Sequence, residues 1–326
     1  MVHLIKTTAL RFALSLALAL AAASGGRAAK YAGEPFTLGA GARGLALGGA
    51  VAAGPFDATA AYWNPAGMAR LDGHYLTAMH AETFGSLLNH DYVGFTSASA
   101  DSASPIRTYG FYVYYLGGGG IKITQLDEFN YPYVVEEESH ADILIGAALA
   151  GRLADRLDFG LTAKIIYRDI GVKSGQGLTV DAGLLYRAAA WADVGVMVTD
   201  VTTGFIRYGG DTLAGANTES IYPTVKPGLR LERRYREFTG RFMMSGDVKF
   251  ESLEAAAQYW SGPLSLDTHF GWEIGYRELL FGRAGFDIGR FTAGGGVDVR
   301  HVTIDFAYLR QTDFDDTFRV SAAYRF

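Results

Sequence analysis

The feature that most constrains the fold is a strict two-residue alternation in the C-terminal part of the chain, residues 266–326. Aromatic or branched side chains occupy every second position, and small, polar or charged ones lie between them, as in Phe270, Trp272, Ile274 and Tyr276 against Gly271, Glu273, Gly275 and Arg277. A period of two places the two sets on opposite faces of an extended strand. The pattern recurs up to Phe326, and the connections are short enough to require antiparallel neighbours. The sequence therefore predicts an up-and-down meander.

Alternation alone does not say which face meets water. A soluble barrel or sandwich buries its apolar face, whereas a membrane barrel turns that face to lipid. Each repeat has about 10 residues, enough to cross a bilayer at a tilt of roughly 45°, and Tyr and Trp fall near strand ends, where headgroups lie. Because the chain ends on an aromatic inside its last strand, we expect this strand to pair with another one and close the sheet.

The N-terminus predicts export. In residues 1–28, His3, Lys6 and Arg11 are followed by an apolar run and then by small residues, the pattern of a cleaved secretory signal peptide. No later run approaches 18 apolar residues, so we expect no transmembrane helix. An exported, helix-free chain with 49% hydrophobic residues suits the outer membrane of a Gram-negative-type bacterium, reached by Sec-type export.

The amino-acid composition excludes or disfavours several classes of function. The chain has no cysteine, which excludes disulfides, thiol catalysis and cysteine metal sites. Its net charge of -5, without a basic stripe, argues against nucleic acid as a partner.

The strand count predicts an all-β transmembrane barrel of about 14 strands over residues 73–326. Nine candidate strands between residues 74 and 250 precede the five C-terminal ones. Longer connections at 117–139, 202–223 and 251–266 all follow odd-numbered strands. They are therefore predicted to be extracellular, with both termini periplasmic.

Residues 29–72 are not strand-like and contain the motif DATAAYWNPAGMARL at 57–71. Asp57 can cap a brief helix through Tyr62, and Asn64 can cap a second helix that starts at Pro65. A compact irregular segment before a barrel predicts a plug in the lumen. A periplasmic arm and a surface lid are the alternatives.

Residues 39–71 resemble the N-terminal region of the FadL family of outer-membrane transporters for hydrophobic compounds and of its PorV/PorQ-type relatives. The resemblance rests on A-R-G-L-A-L-G-G-A followed by D-A-x-A-x-Y-W-N-P-A-G. It implies a 14-stranded barrel obstructed by an N-terminal hatch, with a gating role for Asp57, Tyr62, Trp63, Asn64, Pro65 and Gly67. The final strand resembles the signal that hands such barrels to their assembly machinery. Membrane lipid and that machinery are thus expected partners, the latter through Phe318, Val320, Tyr324 and Phe326.

Two functions are compatible with this resemblance. In the first, small hydrophobic molecules pass through, and Phe129, Tyr131 and Tyr133 of the first long connection join the hatch aromatics in contacting them. In the second, the chain is a PorV-like component of type IX protein secretion that binds exported proteins. The compact final strands are closer in style to the PorV subgroup.

Other polar clusters receive ordinary structural interpretations. Gly39, Gly41 and Gly44 spell G-x-G-x-x-G without a preceding strand, so we interpret them as flexible loop glycines. Two acidic runs are interpreted as solvated loop charge, namely Glu136, Glu137 and Glu138 with His140, and Asp313, Asp315 and Asp316. His140, His269 and His301 are not spaced as parts of a catalytic group. We therefore predict no enzyme, metal or cofactor, and expect interior charges to pair across the lumen: Lys164, Arg168, Asp181, Glu273, Arg283, Asp298 and Asp305.

Overall fold

The computed structural model describes residues 33–54, 56–99, 104–209, 218–250, 257–311 and 315–326. The predicted signal peptide, residues 1–28, lies outside these ranges. The described residues form 17 strands in one sheet. They are β1 (His74–Thr83), β2 (Leu88–Ala98), β3 (Ile106–Leu126), β4 (Pro132–Ala154), β5 (Leu157–Asp169), β6 (Ser174–Ala189), β7 (Ala192–Thr199), β8 (Gly204–Tyr208), β9 (Thr218–Ile221), β10 (Thr224–Tyr235), β11 (Phe238–Lys249), β12 (Tyr259–Ser261), β13 (Leu264–Tyr276), β14 (Leu280–Asp287), β15 (Arg290–Val299), β16 (Val302–Leu309) and β17 (Thr317–Arg325).

The sheet closes into an antiparallel barrel. Its last strand pairs with its first, from Tyr75 opposite Arg325 to Glu82 opposite Phe318. Fourteen strands form the ring, because β8, β9 and β12 lie outside it and β7 pairs directly with β10. The predictions of closure, antiparallel order and 14 strands are confirmed. We call the end at His74 and Arg325 the terminal rim and the opposite end the loop rim.

The apolar face of the strands is the outer face of the barrel. Trp272 and Ile274 are exposed, whereas Glu273 between them is buried. The predicted assembly-signal residues Phe318, Val320, Tyr324 and Phe326 are likewise exposed along β17. An apolar exterior around a polar interior is the arrangement of a barrel in hydrocarbon and the reverse of a soluble barrel.

The three longer connections all leave the ring at the loop rim, as predicted from their positions after odd-numbered strands. They contain more regular β-structure than expected. Most of the first, residues 117–139, extends β3 and β4 as a hairpin. The second contains β8 and β9, with β8 paired to β6. The third contains β12, which pairs with β13.

The described residues before β1 contain four short helices. They are α1 (Glu34–Thr37), α2 (Ala42–Ala46), α3 (Ala60–Trp63) and α4 (Pro65–Arg70), of which α1 and α4 are 3₁₀ helices. We refer to residues 33–72 as the hatch. Among the described residues, no helix has the length and apolar character needed to span a membrane.

Candidate functional site: the hatch and the luminal cavities

The hatch lies inside the ring. Helix α4 packs against β3, β4, β5 and β6, and α2 packs against β14, β15, β16 and β17, so the two helices contact opposite parts of the wall. Hatch side chains such as Ala40, Leu47 and Met68 are fully buried. The lumen is therefore obstructed by the polypeptide that leads into β1.

Asn64 joins the two halves of the hatch. It is fully buried and extended, with φ -160° and ψ 104°, as expected for a residue before proline. Its Oδ1 accepts a hydrogen bond from the Ala66 backbone N–H at 3.1 Å, which caps α4. Its Nδ2 donates to the Ala52 carbonyl at 2.7 Å. The predicted capping role of Asn64, with Pro65 at the first helical position, is confirmed.

Asp57 starts the turn that leads into α3. Its Oδ1 accepts from the Thr59 backbone N–H at 2.8 Å and from the Thr59 hydroxyl at 2.6 Å. The helix therefore begins later than predicted, at Ala60, and ends at Trp63 instead of Tyr62.

Tyr62 and Trp63 fix the N-terminal part of the hatch. The Tyr62 hydroxyl donates to the Phe36 carbonyl at 2.6 Å, and burial raises the pKa of this hydroxyl, which keeps it protonated. The Trp63 indole N–H donates to the Ala40 carbonyl at 2.8 Å. Its ring lies so close to Gly39 and Gly44 that an added Cβ on either would come within 2.7 Å. The interpretation of these glycines as flexible is therefore wrong, because they are buried packing positions.

Glycines on eight strands bring the wall against the hatch. At each of them an added Cβ would meet a hatch atom at 2.0–2.9 Å, closer than real contacts allow. The nearest approach is Gly183 to Asn64 Oδ1, at 2.0 Å. These luminal glycines are Gly110, Gly160, Gly183, Gly195, Gly228, Gly271, Gly285 and Gly294. Gly67 has the same role within the hatch, where a Cβ would lie 2.3 Å from the Phe56 ring.

A chain of ion pairs follows the wall near the terminal rim and includes two hatch arginines. Glu273 accepts from Arg43 of the hatch at 2.8 Å, from Arg241 at 2.8 Å and from Arg283 at 2.6 Å. Arg70 of the hatch bridges Asp158 at 2.9 Å and Asp193 at 2.6 Å. This ion-pair belt runs through Asp305, Arg283, Glu273, Arg241, Glu232, Arg230, Asp193, Arg70, Asp158 and Arg152.

The prediction that interior charges pair is confirmed for six of the seven residues. Lys164 contacts Asp181 at 2.7 Å, and Arg168 contacts Asp142 at 2.6 Å. Glu273, Arg283 and Asp305 belong to the belt. Asp298 lines a cavity at the terminal rim and forms no ion pair within the described ranges.

Three cavities lie around the hatch. An aromatic pocket of about 90 Å³ is lined by Phe36, Tyr62, Trp63 and Tyr112 together with charged residues that include Lys164, Asp181 and Asp200. A vestibule of about 680 Å³ opens toward the loop rim and has a mixed charged lining that includes Lys226, Asp247, His269 and Arg319. A third cavity of about 410 Å³ lies toward the terminal rim, against Arg43 and Asp57. The hatch thus separates the two larger spaces.

The wall tyrosines that pack around Tyr62 were not predicted from the sequence. Tyr62 stacks on Tyr114 with centroids 6.0 Å apart, and Tyr92 and Tyr112 stack at 5.5 Å. The signal was present, since residues 109–116 are apolar or aromatic at nearly every position. A strand that is apolar on both faces indicates that its inner face is also covered.

The structure does not bring the predicted loop aromatics to this pocket. Phe129, Tyr131 and Tyr133 lie at and beside the tip of the β3–β4 hairpin, exposed by 72, 69 and 48%. They line none of the three cavities. Contact between these residues and a ligand stays a prediction.

The acidic runs occupy solvent-facing positions. Glu136 and Glu137 are exposed on the same hairpin, and His140 contacts Asp142 at 2.7 Å. Asp316 accepts from the Tyr308 hydroxyl at 2.8 Å, and Asp313 lies outside the described residues. No group of three or more His, Asp or Glu side chains with the geometry of a metal site occurs in the described part of the chain.

Solved structures of transport proteins share this fold. The CymD monoaromatic hydrocarbon channel matches with a TM-score of 0.55 and 13% identity, over 89% of this chain and 98% of that one. The Pseudomonas putida toluene transporter TodX matches with a TM-score of 0.53 and 12% identity, over 88% and 97%. A FadL homologue from Pseudomonas aeruginosa matches with a TM-score of 0.50 and 13% identity, over 88% and 98%. No protein-family model and no curated protein sequence matches.

Proposed function

We propose that this chain is a FadL-type outer-membrane channel of the PorV/PorQ branch that lets small hydrophobic molecules pass under control of its hatch. The observation that carries the proposal is the aromatic pocket between the hatch and the wall of a closed barrel. The shared fold with channels described as carrying monoaromatic hydrocarbons supports it. The apolar exterior supports the location in a membrane.

The residues that line the lumen suggest why a solute cannot pass while the hatch stays in place. An apolar solute reaching the aromatic pocket meets Tyr62 and Trp63 of the hatch. Beyond them lies the ion-pair belt. An apolar molecule forms no favourable contacts with these charged groups, and its entry would separate ion pairs that now neutralise each other. Passage therefore requires movement of the hatch or an opening in the wall above the belt.

A disulfide between hatch and wall tests the gating. A Cβ added at Gly110 of β3 would lie 3.3 Å from the Ala61 Cβ of the hatch, close to the separation of about 3.5–4.5 Å in disulfides. The other two near atoms, Cε and Sδ of Met68 at 2.8 and 3.2 Å, belong to the flexible end of that side chain. Because the chain has no cysteine, Ala61→Cys with Gly110→Cys gives a single defined cross-link. We expect oxidation to slow entry of the aromatic dye N-phenyl-1-naphthylamine into cells that carry the protein, and a reductant to restore it.

The two single-cysteine variants are the controls, since oxidation leaves them uncrosslinked. Unchanged dye entry with the cross-link verified on a gel would contradict gating by the hatch. If the unmodified protein gives no faster entry than cells lacking it, passage of hydrophobic molecules itself is contradicted.

The second candidate is a PorV-like role in type IX protein secretion, in which the barrel binds exported proteins. The exposed hairpin at the loop rim is the observation in its favour, because it presents apolar side chains outside the ring. Co-purification of a reproducible exported protein, with no effect of the barrel on dye entry, would favour this role over uptake.

A further inference from the structure

The end of the β3–β4 hairpin is a two-stranded ribbon that extends beyond the ring and contacts the rest of the barrel at its base, near Gly118 and Glu138. β2 pairs with β3 only as far as Gly117, and β5 pairs with β4 only from Ala141 onward. Residues 118–126 and 132–140 therefore pair only with each other among the described strands. At about 3.3 Å per residue, this segment reaches roughly 30 Å from the ring. We call residues 118–140 the rim ribbon.

Neither long edge of the rim ribbon pairs with a further strand among the described residues. The turn between β5 and β6 reaches only the base of the β4 edge, where a Cβ added at Gly171 would lie 2.9 Å from the Glu138 Cβ. A free edge presents backbone N–H and C=O groups in the spacing that another strand requires. An isolated two-stranded ribbon is also only marginally stable in water. A third strand would satisfy the edge and stabilise the ribbon.

The ribbon carries large apolar side chains that no part of the described structure covers. They are exposed by 42–72%: Ile121, Leu126, Phe129, Tyr131, Tyr133, Val134 and Val135. An arriving strand would cover them on both faces, because neighbouring residues point to opposite sides. Free edges and exposed apolar side chains thus occur on the same element.

Charge determines the kind of strand that fits. The ribbon has one cation, Lys122, against five carboxylates, Asp127, Glu128, Glu136, Glu137 and Glu138. None of the five forms an ion pair within the described ranges. Three of them are consecutive on the β4 edge, so they alternate between the two faces. A partner with basic residues on both faces gains attraction, whereas a second copy of this ribbon would place like charges together.

Glycines allow the ribbon to adjust its angle. The pairing shifts register between Gly118 and Ile121, and Gly120 has a φ of 77°. A Cβ added at Gly119 or Gly120 would have no neighbour within 4 Å. Gly118, in contrast, lies against the Leu87 backbone. The fixed part of β3 therefore ends at Gly118.

We propose that the rim ribbon binds an extended basic segment of another polypeptide, which adds as a strand along the β4 edge outward of Glu138, beside Glu136 and Glu137. This surface is distinct from the luminal pocket, and the binding does not depend on passage of a solute.

The test uses full-length protein in a non-ionic detergent and dye-labelled peptides of repeating Lys-Lys-Val-Val, which place lysines on both faces of an extended strand. We expect saturable binding in fluorescence anisotropy that weakens at least about tenfold, or about 1.4 kcal/mol, in Glu136→Lys/Glu137→Lys/Glu138→Lys. The matched control, Asp72→Lys/Asp155→Lys/Glu237→Lys, makes the same charge change at the terminal rim and should bind as the unmodified protein does. Heat-modifiable migration on gels confirms that each variant is folded.

Two further peptides separate strand addition from charge attraction. A peptide N-methylated at alternate residues keeps its charge but loses the backbone donors, and a glutamate–valine peptide reverses the charge. Both are expected to bind at least about tenfold more weakly. Equal binding of either peptide, no binding of the lysine peptide, or an equal loss in the terminal-rim control would overturn the proposal. So would self-association of the protein that the ribbon variant abolishes, because the occupant would then be a second copy. A negative result in these peptide-binding measurements would not contradict the proposed passage of hydrophobic molecules, which the dye-entry experiment tests separately.

Discussion

Gly183 shows how single residues fix the hatch. This luminal glycine of β6 would place an added Cβ 2.0 Å from Asn64 Oδ1 and 3.2 Å from Pro65. We expect Gly183→Ala to push the capping residue out of position and to lower the free energy of unfolding by about 1–3 kcal/mol. The measurement is the denaturant midpoint of the folded barrel in detergent.

Gly282→Ala is the matched control. Gly282 also lies in a strand, β14, but a Cβ there has no neighbour within 4 Å. Its midpoint should stay close to that of the unmodified protein. Equal midpoints for the two variants would show that hatch and wall are not packed as described.

At the scale of elements, the ion-pair belt attaches the hatch to the wall. Glu273 is buried and receives three guanidinium groups, from Arg43, Arg241 and Arg283. Glu273→Gln removes the negative charge and leaves these cations without their shared partner. We expect a loss of about 3–5 kcal/mol in the free energy of unfolding, the cost of breaking a buried pair.

The control for this variant is Glu237→Gln, which removes a carboxylate from the exposed pair with Arg277 at the terminal rim. Little change is expected there, because solvent screens such pairs. A Glu273 variant as stable as the Glu237 variant would contradict the structural role of the belt.

The strands themselves were predictable, because a two-residue period is a local signal. Nine strands between residues 74 and 250 and five C-terminal ones were predicted, and the ring has fourteen. The extension of β3 and β4 and the β8–β9 hairpin were not predicted, because they depend on which distant segment each strand pairs with. The cap at Asn64 was predictable from Asn-Pro alone. The roles of Gly39, Gly183 and Tyr114 were not, because they depend on contacts between the hatch and strands far along the chain.

At the scale of the molecule, the proposed gating makes the conductance of the barrel depend on the hatch. In the described residues, buried hatch side chains packed against the luminal glycines lie between the loop-rim and terminal-rim cavities. Deleting residues 33–72 should therefore convert a poorly conducting barrel into one with large stepwise currents in planar bilayers. The unmodified protein, inserted from the same detergent, is the comparison. Similar currents from both would contradict the assignment of the hatch as the obstruction.

The pairing of β1 with β17 has a consequence for biogenesis. The hatch continues directly into β1, and β1 meets the last strand of the chain to finish the wall. Everything between must therefore be synthesised before the circle can be completed. Once the two strands have joined, the hatch is enclosed on all sides and can leave only along the axis.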